Sequence, residues 1–229
     1  MYWQNKDDQR EFRVPDDIQD VAFRIRCPSL PLEHAHALSS ALHEALPWLA
    51  GEERAGIHLI HGAESGNGWV RPEDPETELL HLPRRARMTL RLPKERIGDA
   101  QALIGKVLDI GGFPLEVGEA TVKPLSPVST VFARYVVDRN EAGEEAFVEA
   151  VAGEVRDMGI AVRKLMCGRV HRLRTPRGEI LTRSVMLADL DKEEAIRLQQ
   201  RGVGPERKLG CGLFLPHKGI APVFGDENT

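Results

Sequence analysis

Two stretches of the chain carry side chains suited to chemistry. In Leu32–Leu49, His34, His36 and His43 accompany Leu38, Leu42, Ala45, Leu46 and Leu49, which recur at three- and four-residue spacing. On a helix turning about 100° per residue, His36 and His43 fall within about 20° of each other, opposite the leucine stripe, with Ser40 on their side. His34 precedes or opens the helix. Imidazole takes and gives protons near neutral pH, so such a pair suits general acid–base work. The second stretch, residues 202–218, sets Gly202, Gly204, Gly210 and Gly212 around Arg207 and Lys208. Glycine admits φ > 0 and leaves main-chain N–H groups open to a ligand, and two cations beside them complete a phosphate cradle. The spacing is neither a Walker A, since Lys208 is not followed by Ser or Thr, nor G-x-G-x-x-G, since Arg207 stands where the third glycine should be. An ordinary nucleotide-binding fold is disfavoured.

The elements that must position these residues form an ordered series. Asp20–Cys27 alternates apolar and polar residues as a half-buried strand does, and Pro28 and Pro31 end it. The histidine-bearing helix follows, closed by Pro47 and Gly51. Ile57–Ile60 is a short strand and Arg87–Leu92 another. Lys94–Leu108 reads as a second helix with Ile97, Leu103, Ile104 and Val107 toward the core, and Phe113–Leu125 as the returning strand. This is β-α-β-β-α-β, the ferredoxin-like motif.

The order then repeats. Val128–Val137 is a strand, Glu141–Met158 a helix, and Ile160–Cys167 and Glu179–Leu187 a strand pair around a basic turn, Arg172–Gly178. Asp191–Gln200 is a helix with Asp189 or Asp191 as N-cap, and Leu213–Leu215 the closing strand. The expected fold is α+β, two ferredoxin-like (RRM-like, βαββαβ) domains in tandem. An extension covers residues 1–17, the domains 18–125 and 126–220, and a tail 221–229, with Pro124–Pro127 as linker.

The 229 residues carry 41% apolar and 29% charged side chains, an ordinary globular composition. No run long enough to span a membrane and no secretion signal appears, and Cys27, Cys167 and Cys211 lack CxxC spacing. A cytoplasmic protein with reduced thiols, no membrane partner and no structural zinc is expected. The net charge of −4 hides segregation. Between Ile160 and Leu187 there are seven cations (Arg163, Lys164, Arg169, Arg172, Arg174, Arg177, Arg183) against Glu179 alone. Such a face suits a polyanion. Residues 84–96, with Arg84, Arg85, Arg87, Arg91, Lys94 and Arg96, read instead as a solvated face.

The glycine loop, G-x-G, five residues with cations, then G-x-G, resembles that of the RAMP superfamily of CRISPR-associated proteins. With the histidine-bearing Pro28–Trp48, the sequence is most similar to the endoribonuclease that cuts CRISPR precursor RNA within its repeats, in its myxobacterial-type branch. The resemblance spans roughly residues 18 to 220. It implies tandem ferredoxin-like domains and a catalytic histidine in the first strand–helix segment, with His36 foremost, then His34 and His43. It also implies metal-independent, cofactor-free cleavage by the ribose 2′-hydroxyl, giving 2′,3′-cyclic phosphate and 5′-hydroxyl ends. Repeat RNA or crRNA is the implied partner, retained after cutting, with further subunits of an RNA-guided complex around it. The only tyrosines are Tyr2 and Tyr135, which counts against a tyrosine-assisted mechanism.

RNA contacts are expected from Arg163, Lys164, Arg169, Arg172, Arg174 and Arg177 in the second domain. The loop would add Arg201, Gly202, Gly204, Arg207, Lys208, Gly210, Gly212 and Lys218. His61 is an outside catalytic candidate, since His58 and His61 point to opposite faces of a strand. His171 would touch RNA, and His217 could approach from the loop side. Trp69 either stacks on a base or anchors a loop. Three alternatives stay open: a non-catalytic RAMP subunit that binds guide RNA, a two-histidine phosphoesterase, and a metalloprotein using Glu33, His34, His36 and Glu44. The phosphoesterase lacks its His-x-Thr/Ser motifs.

Overall fold

A computed structural model describes residues 12–62, 79–139 and 143–217. The N-terminal half contains β1 (Ile18–Arg26), β2 (Ser29–Pro31), α1 (Ala35–Ala45), β3 (Gly56–His58), β4 (Leu79–His81), β5 (Arg87–Pro93), α2 (Ile97–Ala100), β6 (Val107–Asp109) and β7 (Pro114–Pro124). The C-terminal half contains β8 (Val131–Val137), α3 (Glu144–Asp157), β9 (Lys164–Thr175), β10 (Gly178–Ala188), α4 (Lys192–Arg201) and β11 (Leu215–Pro216).

The first sheet runs β3-β5-β1-β7-β6 and the second β11-β8-β10-β9, with every pairing antiparallel. Reading the second as β9-β10-β8-β11 reproduces the permutation β3-β5-β1-β7. The chain is therefore two ferredoxin-like domains, the first with β6 added at one edge. A ribbon of β2 and β4 stands apart, pairing Leu30 with Leu80.

Alternation along the strands explains the two cores. Val21 and Phe23 of β1 and Met88, Leu90 and Leu92 of β5 meet Leu38 and Leu42 of α1. In the second half, Val131 and Ala133 of β8 and Val185 and Leu187 of β10 meet Phe147, Val151 and Val155 of α3 and Leu198 of α4. Helix α4 starts at a capping box, in which Glu194 accepts from the Asp191 N–H at 2.9 Å.

The expected helix Lys94–Leu108 is shorter than its apolar spacing suggested. Helical turns end at Leu103, and Gly105 at φ +83° hands the chain to β6. Its N–H donates to Val117 O at 2.8 Å. Ile104 and Val107 consequently face solvent, at 45% and 62% exposure, rather than the core. The basic turn Arg172–Gly178 is likewise mostly strand. Strand β9 continues to Thr175, and the ribbon turns only at Pro176 and Arg177. Strand β9 also begins at Lys164, not Ile160. Among the described residues no helix is long and apolar enough to cross a membrane.

Candidate active site

The β9–β10 ribbon extends beyond its own sheet and lies over α1. Leu173 packs with Ala35, Cys211 and Ile180 in a small cluster at the domain junction. The overhang creates a cleft of about 530 Å³. One wall is the α1 face carrying His36, Ser39, Ser40 and His43. The other is the ribbon tip, Thr175–Ile180, with Glu206, Lys208 and Leu209 of the glycine loop. The histidine pair and the basic loop, far apart in sequence, line one depression.

His43 is oriented by its own helix. Its Nδ1–H donates to Ser39 O at 2.7 Å, so the neutral ring keeps its lone pair on Nε2, which has no partner among the described residues. Ser39 Oγ lies 3.4 Å from the same Nδ1. His36, about two turns toward the N-terminus of α1, is partly exposed, with no side-chain hydrogen bond among the described residues. Arg177 is exposed at the ribbon tip. Lys208 donates to Ala50 O at 2.8 Å, which steadies its ammonium at the cleft.

His34 sits differently. It is 4% exposed; its Nδ1–H donates to Pro31 O at 3.0 Å and its Nε2 accepts from the Ile60 N–H at 3.2 Å. Burial lowers its pKa, and both nitrogens are occupied by main chain. The ring ties the start of α1 to the end of the β3 segment, so it has no nitrogen left for proton transfer. Glu33, His34, His36 and Glu44 do not converge: among the described residues no three His, Cys, Asp or Glu side chains are arranged to hold a metal ion.

The glycine loop also departs from the expected cradle. The Gly202 N–H donates to Leu198 O, Val203 to Gly212 O, Gly204 to Glu154 Oε2, Cys211 to Glu206 O, and Gly212 to Tyr135 O at 2.7 Å. These amides are satisfied within the protein. The glycines are required by the backbone: Gly212 has φ +67°, and a Cβ there would lie 2.1 Å from Val203 O. Gly210, at φ +85°, leaves room for Leu59 of the first domain.

Arg207 is a second correction. Its guanidinium donates to Gln200 O at 3.1 Å, to Arg201 O, and across the junction to Arg54 O at 3.2 Å. It caps the end of α4, and desolvation, with Arg91 nearby, pushes its pKa down to about 10. Arg163 is likewise bound to the α4 cap, through Glu194, Asp189 O and Asp191; burial raises the Glu194 carboxyl, but the N–H groups of Asp191 and Ala161, and then Arg163, hold it at about 2. Lys164 pairs with Asp189 at 2.9 Å. Arg172 and Arg174 share Glu179 across the ribbon, at 3.2 and 3.6 Å. Arg169 and Arg201 are exposed. Lys218 and Trp69 lie outside the described residues.

A smaller crevice beside the cleft is lined by His34, His61, Tyr135 and Arg172. Tyr135 stacks on His61, with centroids 6.5 Å apart, and meets His171 edge-on at 5.3 Å. No sequence signal linked Tyr135 to His61, because that contact is made only when β8 of one domain docks on the other. His58 is buried beside Asp20, its Nε2 3.5 Å from Oδ1. His217 packs on Phe132 at the β11 edge, the opposite edge of the sheet from β9, so it does not approach the cleft.

Two ferredoxin-like domains in tandem, the second with a glycine-rich loop packed against the first, and a histidine pair facing a basic ribbon, define a RAMP-type protein. The family model described as Cas6 Crispr matches residues 19–219. The CRISPR-associated endonuclease Cas6 of Myxococcus xanthus (strain DK1622) is 32% identical over 86% of this chain and 80% of that protein. The chain belongs to the Cas6 family of CRISPR-associated endonucleases. Solved structures agree on the fold. A CRISPR-associated protein Cas6 has a TM-score of 0.60 at 14% identity, covering 88% of this chain and all of that one. A Cas6-related protein from Pyrococcus furiosus has 0.57 at 15% identity, covering 86% and 97%. A RAMP protein described as binding different RNA substrates has 0.56 at 15% identity, covering 86% and 98%.

Proposed function

We propose that this protein cuts CRISPR repeat RNA in the cleft between α1 and the β9–β10 ribbon, using the ribose 2′-hydroxyl as nucleophile and no metal ion. The carrying observation is that His36 and His43 share one α1 face opposite Arg177 and Lys208. His43 Nε2 takes the 2′-hydroxyl proton. The 2′-oxygen attacks the adjacent phosphorus and the P–O5′ bond breaks. His36, protonated, gives its proton to the departing 5′-oxygen, leaving 2′,3′-cyclic phosphate and 5′-hydroxyl ends. Lys208 and Arg177 stabilise the charge on the pentavalent phosphate.

The exposed Arg169, Arg174 and Arg201, with Arg172, hold the RNA backbone, and the product stays bound for transfer to further subunits. The free cysteines Cys27, Cys167 and Cys211 fit work on transcripts in a reducing cytoplasm. The test is incubation of the purified protein with repeat RNA in EDTA, followed by mapping of both ends. Cyclic phosphate and 5′-hydroxyl termini, abolished by His36→Ala with His43→Ala, are the expected result. Persistent cleavage by the double variant, or a requirement for added metal, would overturn it.

A further inference from the structure

A groove of about 920 Å³ lies on the first domain and takes no part in the chemistry above. Its walls are Arg24 and Arg26 at the end of β1, Arg84 and Arg87 entering β5, and Glu116 and Glu119 of β7. All four arginines are exposed. We propose that this groove binds a single-stranded segment of the RNA flanking the part held in the cleft.

Three observations carry this. First, Arg24 and Arg87 are direct cross-strand partners in the β1–β5 register. Like charges at opposed positions of an antiparallel pair destabilise the sheet, and a phosphate between them would relieve the repulsion. Second, neutralisation within the protein is incomplete. Arg26 pairs with Glu116 at 3.0 Å and Arg24 only loosely with Glu119, at 4.0 Å. Arg84 and Arg87 have no carboxylate partner among the described residues. One nitrogen of Arg87 donates to Arg85 O at 2.9 Å and Ala86 O at 3.0 Å, which holds the guanidinium at the rim.

Third, the groove adjoins the site. Pro28 and Leu82 line it, and Leu82 N–H donates to Pro28 O at 2.9 Å. The β2–β4 ribbon runs from that bond to Leu32 and Leu80 in the crevice beside His34. A three-residue strand spans about 10 Å, within reach of a continuous RNA strand. That continuity favours RNA over an acidic protein segment as the occupant. Of the run 84–96, Arg91 is buried, and Lys94 and Arg96 pair with Asp16 and Asp99. Arg84, Arg85 and Arg87 remain for a ligand.

The inference rests on the proposed RNA chemistry, and its test keeps the two separate. Affinities of repeat RNA with and without a short single-stranded extension, at either end, are measured for the wild type and for Arg24→Gln with Arg84→Gln. The extension at one end is expected to tighten wild-type binding roughly tenfold. The variant should bind both RNAs as the wild type binds the unextended one and cut the unextended RNA at the wild-type rate. Its salt dependence on extended RNA should fall by about 0.7 in slope for each phosphate no longer gripped. Equal benefit from the extension in both proteins, or none in either, would overturn the groove assignment, as would equal weakening toward both RNAs. Unchanged RNA binding throughout would leave the surface to an acidic partner and also refute it. Loss of repeat cleavage by the wild type would instead strike the active-site reading.

Discussion

Arg91 and Asp20 are joined by two hydrogen bonds, Nε to Oδ1 at 2.8 Å and Nη2 to Oδ2 at 2.9 Å, between the central strands of the first sheet. The remaining nitrogen of the guanidinium crosses the domain junction, donating to Gln199 O and Phe214 O, each at 2.9 Å. Arg91 is fully buried. One side chain on β5 thus connects β1, the end of α4 and the segment between the glycine loop and β11, across the domain junction.

Removing one member of such a pair leaves a buried, uncompensated charge. Arg91→Met is expected to destabilise the protein by about 3–5 kcal/mol, with Asp20→Asn in the same chain recovering part of the loss. Urea unfolding of the single and double variants measures both.

The pair also sets an acid limit. Burial raises the Asp20 carboxyl, but the charge of Arg91 and its two hydrogen bonds, with His58 Nε2 3.5 Å away, outweigh it and hold the group well below the usual carboxylate range. A depressed folded pKa stabilises above the unfolded value, roughly 3.9, and that contribution is lost as pH falls through and below it. Melting temperature should decline between about pH 5 and pH 2, and less steeply for Asp20→Asn than for the wild type.

Under the proposed mechanism the histidines divide into chemistry and structure. His36→Ala or His43→Ala should slow cleavage by about 10²–10⁴ while leaving repeat affinity nearly unchanged. His34→Ala should act on stability instead, by about 1–3 kcal/mol, because it leaves the Pro31 carbonyl and Ile60 amide without their partner. Single-turnover rates below each variant's melting point, beside the melts themselves, separate the roles.

The glycine loop makes a sharp contrast. Gly212→Ala meets both positive φ and a main-chain clash and should cost about 1–3 kcal/mol or prevent folding. Gly204→Ala has positive φ but nothing within 4 Å of the added Cβ, so about 1–2 kcal/mol is expected with repeat affinity retained. A large loss of RNA affinity in Gly204→Ala at unchanged fold would restore the phosphate-cradle reading.

How much of this was legible in the chain differs by level. Both β-α-β-β-α-β strings could be read because alternation in Val21–Ile25 and helical spacing in Leu38–Leu49 are short-range signals. The second helix was over-extended because Val107 keeps a helical interval with both Leu103 and Ile104 while Gly105 breaks the backbone between them. His36 and His43 were found by the same helical geometry that puts them on one face. The roles of His34, Arg207 and the glycines were not legible. Each depends on which carbonyls and amides the other domain brings within reach, and that information is in no local window. Tyr135 was missed for the same reason.

The overhang of β9 and β10 above α1 makes ribbon length a ruler for substrate placement. Two residues added to or removed from each strand would move Arg177 by about 7 Å relative to α1 without changing which side chains face it, whereas one residue in each strand would turn every one of them over. Variation in this family is therefore expected to come in steps of two residues per strand between Lys164 and Ala188, shifting the proposed phosphate grip relative to a histidine pair that stays in place.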